Sequence, residues 1–172
     1  MLDVFSHVGG FSLAALAAGA KSALAVDGSQ PALDLAEAGA RASGLAALTT
    51  LKSDAFDAMR TLAEEGRRFG LVVADPPAFA PNRGALENGL RAYRKTARLA
   101  AALVAPGGCL VLCSCSGAVD SETFHRTSAE GIRAAGRSGA LIRAGRAGPD
   151  HPMHLALPET SYLKAHFHHL TS

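Results

Sequence analysis

The residues of this chain whose types and spacing suit chemistry are three carboxylates, a glycine pair and a cysteine trio. They are Asp27, Asp54 and Asp75, Gly9 and Gly10, and Cys109, Cys113 and Cys115. Each acid closes or follows a short apolar run of the kind that forms a buried strand, and in open α/β sheets ligands bind beyond the carboxyl ends of the strands. In Phe5-Ser6-His7-Val8-Gly9-Gly10-Phe11 the two glycines let the backbone turn tightly and approach a ligand before a helix begins. The run is not G-x-G-x-x-G, which disfavours a dinucleotide and its pyrophosphate. Asp27 suits the two hydroxyls of a ribose, or else a turn before Gly28. Asp54 suits the exocyclic amine of an adenine, or else the cap of the next helix. Together these residues describe a nucleoside pocket without a phosphate cradle.

Asp75-Pro76-Pro77-Ala78-Phe79 is a stiff loop, because each proline locks its own φ and restricts the residue before it. Its carboxylate and carbonyls suit the amine or imino group of a planar ring, with Phe79 as a stacking surface. Cys115 is read as a nucleophile: it lies past a strand end and shortly before a helix, whose N-terminal field would lower a thiol pKa towards neutrality. Cys109 and Cys113 are read as core residues. No metal site is expected, because C-x-C lacks a second cysteine or histidine pair at zinc spacing. His166, His168 and His169 are read as a solvated strand face.

These residues need a scaffold, and short apolar runs alternating with alanine-rich helical runs supply one. Strands are expected at Leu2–Phe5, Ala23–Val26, Leu48–Lys52, Leu71–Ala74 and Cys109–Cys113. Helices are expected at Phe11–Ala18, Pro31–Ala42, Ala55–Glu65 and Val119–Ala134. A further long helix carries Leu86, Leu90, Tyr93, Ala97, Ala101 and Val104 on one face and is ended by Pro106-Gly107-Gly108. Leu141–Arg143 and Ser161–His168 read as a late strand pair. The fold class is therefore α/β: a doubly wound, Rossmann-like sheet, mostly parallel, with an antiparallel strand near its C-terminal edge. At 172 residues, with 48% hydrophobic and 19% charged residues, the chain is one ordinary globular unit rather than a disordered or coiled-coil chain. No apolar run reaches membrane-spanning length and no signal peptide is visible, so a cytoplasmic location is expected. The net charge of +2 permits a nucleic-acid partner without demanding one. Arg91, Arg94, Lys95 and Arg98 would form one basic stripe on the long helix, facing either phosphates or solvent.

The chain resembles the catalytic domain of the RNA 5-methylcytosine methyltransferases of the large-subunit ribosomal RNA methyltransferase I type. The resemblance runs nearly end to end. It rests on Leu2-Asp3-Val4-Phe5-Ser6 with Gly9-Gly10-Phe11-Ser12, Val26-Asp27 with Ser29-Gln30, and Asp75-Pro76-Pro77 with Phe79. Ser114-Cys115-Ser116-Gly117 and Asp150-His151-Pro152 with Pro158-Glu159 and Tyr162-Leu163-Lys164 complete it. It implies a class I fold binding S-adenosylmethionine, whose methionine part explains the missing phosphate loop. Carried over, Phe5, Ser6, Gly9 and Gly10 would meet the methionine side, Asp27 and Ser29 the ribose, and Asp54 and Ala55 the adenine. Asp75 would serve both the cofactor side and the target base, and Cys115 would attack C6 of cytosine. Pro76, Pro77, Phe79, Arg94 and Arg98 would contact RNA, which the resemblance makes ribosomal. The Asp-Pro-Pro loop lacks the second cysteine of some relatives, which puts the single-cysteine variant forward.

Family members usually carry an N-terminal RNA-binding domain, so residues 1–172 are expected to be a methyltransferase domain truncated at its N-terminus. Two rival readings stay open. One is an amino-group or guanine methyltransferase of RNA, since Asp-Pro-Pro-aromatic loops also orient exocyclic amines; there the aromatic follows the second proline directly, whereas here Ala78 intervenes. The other is a non-catalytic cofactor- or RNA-binding module.

Overall fold

The alternation of apolar and alanine-rich runs becomes a single seven-stranded sheet with helices on both faces. The structure, a computed structural model, describes residues 1–157 and 160–171; Pro158 and Glu159 of the resemblance lie outside the described residues. In chain order the elements are β1 (Leu2–Val4), α1 (Gly10–Ala17), β2 (Ala23–Asp27), α2 (Gln30–Ala42), β3 (Leu48–Lys52) and α3 (Ala55–Glu64). Then follow β4 (Phe69–Ala74), α4 (Leu86–Ala102), β5 (Val104–Ser114), α5 (Ser121–Ala134), β6 (Gly139–Gly145) and β7 (Lys164–Leu170).

The strand order is β3-β2-β1-β4-β5-β7-β6. Strands β1 to β5 pair in parallel, and β7 inserts antiparallel between β5 and β6. Winding reverses between β1 and β4, so the crevice for a ligand lies at their carboxyl ends. There the Asp75 amide donates to the Val4 carbonyl at 3.2 Å, carrying the pairing one residue past β4. Among the described residues no helix is long and apolar enough to cross a membrane.

The larger core lies under α3, α4 and α5, where Val4, Val26, Val72, Leu110 and Leu112 meet Met59, Tyr93, Leu103 and Phe124. A smaller cluster of Val73, Val111 and Cys113 occupies the other face, with Cys109 and Phe167 packed against it. The core reading of Cys113 therefore holds, while Cys109 is half-buried at the margin.

Two expectations are corrected. Helix α4 stops at Ala102, and Val104 belongs to β5, opposite Phe69. Pro106 excludes the α conformation at the residue before it, and Gly107, at φ 73°, bends the strand inside its own length. His166 and His168 do not form a solvated face; they are 1% and 4% exposed. The period-two alternation of β7 turns Lys164, His166, His168 and Leu170 towards α5 and the core, because β7 is an interior strand.

Candidate active site

The first strand ends because Phe5 takes φ 62°, and His7 and Gly9 follow at 48° and 75°. Left-handed conformations at two non-glycine residues are strained, and strain of this kind concentrates at ligand sites. The loop is held from β2: Asp27 accepts the His7 amide on Oδ2 at 2.8 Å and the Ser29 amide on Oδ1 at 2.9 Å. Gly9 also permits close packing, since a Cβ there would stand 2.9 Å from that of Ala36.

Beneath the loop lies a residue that sequence reasoning did not single out as part of the site. Asp3 is fully buried in β1, and its Oδ2 accepts both the amide and the hydroxyl of Ser12 at 2.9 Å. It thereby ties the strand to the first turn of α1. Its Oδ1 is buried and has no hydrogen-bond partner among the described residues. Burial pushes the carboxyl up to about 6 against the help of Ser12, and Asp75 and Asp27 push in the same direction.

Asp54 caps α3 with Oδ1, which accepts the amides of Phe56 and Asp57 at 2.9 and 3.0 Å. Ser29 caps α2 through Oγ. A cavity of about 390 Å3 opens at these strand ends, lined by Phe5, Asp27, Asp54, Ala55, Asp75 and Pro77 among others. That volume lies in the range of small-ligand pockets, about 300–1,000 Å3. The structure thus brings Asp27, Asp54 and Asp75 to one cavity, as their positions after three strands implied. Ser6 is buried and does not line it.

The Asp-Pro-Pro loop and the cysteine loop meet at the ends of the paired strands β4 and β5. Cys115 Sγ lies 4.0 Å from the Pro76 carbonyl oxygen. Tyr93 of α4 fastens the two loops together: its hydroxyl bonds Ser116 Oγ at 2.7 Å and Ser114 Oγ at 3.0 Å, and Ser116 Oγ accepts the Ala80 amide at 3.0 Å. Phe79 packs on Tyr93, Phe56 and Phe5 with ring centroids 5.0 to 6.3 Å apart, so it anchors the Asp-Pro-Pro loop to the core. Gly89 lets α4 approach the same loop, since a Cβ would meet that of Ala80 at 2.6 Å.

The expected lowering of the Cys115 pKa is corrected. Helix α5 starts only at Ser121 and is capped by Asp120, so its field is spent at some distance from the thiol. Burial, and secondarily Asp75, push the thiol up; the nearby Lys164 pulls in the other direction. Burial likewise raises the Asp75 carboxyl. Lys164 is buried and donates to the carbonyls of Ser116 and Val119 at 2.7 and 2.5 Å.

The basic stripe is largely engaged within the protein. Arg94 pairs with Glu130 of α5, Arg91 lies against Glu87 and Asn88, and Lys95 Nζ sits 4.1 Å from the Phe56 ring centroid. Arg98 is exposed.

Residues 1–139 match the family model described as S-adenosylmethionine-dependent methyltransferase. The chain belongs to that family. Relatives named ribosomal RNA large subunit methyltransferase I are 39% identical over 166 residues in Aeromonas salmonicida and 38% identical over 168 in Vibrio cholerae. Each alignment covers 95% of this chain and 42% of the relative, so the chain spans less than half of their length. A methyltransferase, SMU.776, solved in complex with SAH superposes with a TM-score of 0.83 at 20% identity, over 97% of this chain and 44% of that one. A SAM-dependent methyltransferase from Streptococcus mutans gives 0.84 at 19% identity, over 98% and 43%.

S-adenosylmethionine is the cofactor of this methyltransferase family, and the donor set at the β1/β4 crevice suits it. Three acidic residues line one cavity, which matches a cationic ligand rich in hydroxyl and amine donors.

Proposed function

We propose that this chain is the catalytic part of an RNA methyltransferase that methylates C5 of a cytosine in large-subunit ribosomal RNA through a covalent adduct with Cys115. The observation that carries the reading is the placement of Cys115 Sγ 4.0 Å from Pro76, beside Asp75 and next to the three-carboxylate cavity. The naming of the relatives supports the RNA substrate. Asp27 would hold the ribose, Asp54 with Ala55 the adenine, and the Phe5–Gly10 loop the methionine side. Pro76, Pro77 and Phe79 would shape the base site, and Arg94 and Arg98 would meet phosphates.

C5 of cytosine is a weak nucleophile, so the residues must first change the ring. The Cys115 thiolate adds to C6 while N3 takes a proton from Asp75, whose raised pKa suits a carboxyl that carries one. C5 is then an enamine carbon. S-adenosylmethionine, when bound, supplies an electrophilic methyl group to it. A base removes the C5 proton, the C6–S bond breaks to return the thiolate, and N3 gives its proton back to Asp75. Electrons and protons balance, with one proton released per methyl transferred.

The test uses an RNA substrate carrying 5-fluorocytidine, incubated with the chain and S-adenosylmethionine. Fluorine cannot leave C5 as a cation, so the adduct accumulates as a species that survives denaturing electrophoresis. It is expected with the wild type and absent from Cys115→Ala. An adduct that persists in Cys115→Ala, or methyl transfer undiminished in that variant, overturns the mechanism.

A further inference from the structure

A second cluster of reactive side chains lies away from the methyl-transfer residues, on the core face of the sheet between α5 and β7. One ring nitrogen from each of His125, His166 and His168 lies within 4.8 Å of the other two. The ring centroids form a nearly equilateral triangle with sides of 6.1, 6.3 and 6.4 Å. We propose that these three histidines bind one divalent transition-metal ion of the zinc class, clipping helix α5 to strand β7.

Two observations favour a ligand over plain packing. Among the described residues Nδ1 of His166 is buried with no hydrogen-bond partner, and the buried ring of His168 has no side-chain partner and only the backbone of Leu110 and His166 near it. Buried imidazole nitrogens ordinarily find one, and a metal ion would take one nitrogen from each ring. In addition, His166 Nε2 lies 3.1 Å from Ser121 Oγ. That contact orients the ring and leaves Nδ1 as its open donor, the arrangement in which an outer partner fixes the tautomer of a metal-bound histidine.

The chemistry of the set selects the ion. Imidazole ligands without a thiolate suit zinc, copper, nickel or cobalt rather than calcium or magnesium. Cys109 and Cys113 belong to the cluster on the opposite face of the sheet, so they do not compete for the same ion. Nitrogens around one zinc ion at about 2.0–2.1 Å stand roughly 3.3 Å apart. Closure therefore asks each pair of nitrogens to approach by about 1.5 Å at most, and His125 is the exposed member of the three. A cavity of about 450 Å3 reaches His125 and His168 and gives an ion a path in. Arg133 and Arg137 line the same cavity. Their charge opposes a bare cation and suits a fourth position filled by hydroxide or another small anion. The consequence is structural: β7 begins at Lys164, which holds the Cys115 loop, so an ion on His166 and His168 would brace that strand against α5.

The full chain, stripped with chelator, is titrated with cobalt(II) and zinc(II) chloride. The proposal expects one equivalent of cobalt to bind at micromolar strength, with visible d–d bands and no sulfur-to-cobalt charge-transfer band. It also expects zinc to raise the thermal midpoint. His125→Ala, at an exposed position where folding is safe, should weaken binding at least tenfold and remove the zinc-dependent shift; His168→Gln should do the same. Absence of saturable binding, a thiolate charge-transfer band, or affinity unchanged in His125→Ala would overturn it.

Discussion

The buried ammonium of Lys164 donates to the Ser116 carbonyl at 2.7 Å, tying the first residue of antiparallel β7 to the loop that carries Cys115. Its second bond, to Val119, extends the tie to the approach to α5. Because β7 pairs with β5 from Cys109 to Ser114, the strand and its lysine hold the cysteine loop from backbone and side chain together. Lys164 is therefore a positioning residue.

Lys164→Met should take the buried ammonium away from the Val119 carbonyl, at a cost of about 1–3 kcal/mol, while the Ser116 carbonyl keeps the Val119 amide at 3.2 Å. The same change removes the cation that favours the Cys115 thiolate. Urea midpoints should fall, and alkylation of Cys115 at fixed pH should slow, because the thiolate loses a nearby cation. Unchanged alkylation together with unchanged stability would contradict the positioning role.

Asp3 predicts a pH dependence of stability. Its carboxyl is held at about 6 in the fold against 3.8 in the unfolded chain, so the folded state binds the proton more tightly. This contribution is fully present below pH 3.8 and is lost as pH rises through 6. The full loss corresponds to about 3 kcal/mol. Asp3→Asn keeps an acceptor for Ser12, and the difference in unfolding free energy between variant and wild type should grow in favour of the variant from pH 4 to pH 8. A constant difference across that range would contradict the assignment.

Gly89→Ala would place a methyl group 2.6 Å from the Ala80 Cβ and 2.9 Å from the Phe79 backbone, so α4 or the Asp-Pro-Pro loop must move. Overpacking of this kind costs about 1–3 kcal/mol. Denaturant titration should show the loss, and methyl transfer should fall further than stability does, because the displaced loop carries Asp75. Wild-type transfer in this variant would show that the close approach is not needed.

The strand-end acids were legible because Asp27 and Asp75 close apolar runs and Asp54 follows the edge strand β3 by two residues, where strand, loop and ligand meet in a doubly wound sheet. Asp27, Asp54 and Asp75 were found that way, and they share one cavity. Asp3 was not singled out for the site, because a lone acid inside a strand carries no local sign that it reaches a helix turn. Tyr93 read as an apolar position on α4, and its hydroxyl shows its work only once Ser114 and Ser116 are brought beneath it. The histidines of β7 were assigned to solvent because alternation reveals that residues share a face without revealing which face is covered. That depended on β7 lying inside the sheet, with α5 over it.

If Asp27 holds the ribose as proposed, Asp27→Ala should weaken S-adenosylmethionine binding about 10- to 100-fold, the loss of a charge-assisted hydrogen bond being worth about 1.5–3 kcal/mol. It also releases the amides of His7 and Ser29. Asp27→Asn retains an acceptor and should fall between the two. Calorimetric titration checks the order, and equal affinity in all three proteins would remove Asp27 from the cofactor site.

The most direct measurement follows the methyl group into its product. Large-subunit ribosomal RNA is incubated with the chain and S-adenosylmethionine labelled in its methyl group, then digested to nucleosides and resolved by mass spectrometry. The account predicts label in 5-methylcytidine with the wild type and none with Cys115→Ala. Label on guanosine or on an exocyclic amine, or 5-methylcytidine formed equally by Cys115→Ala, would contradict it.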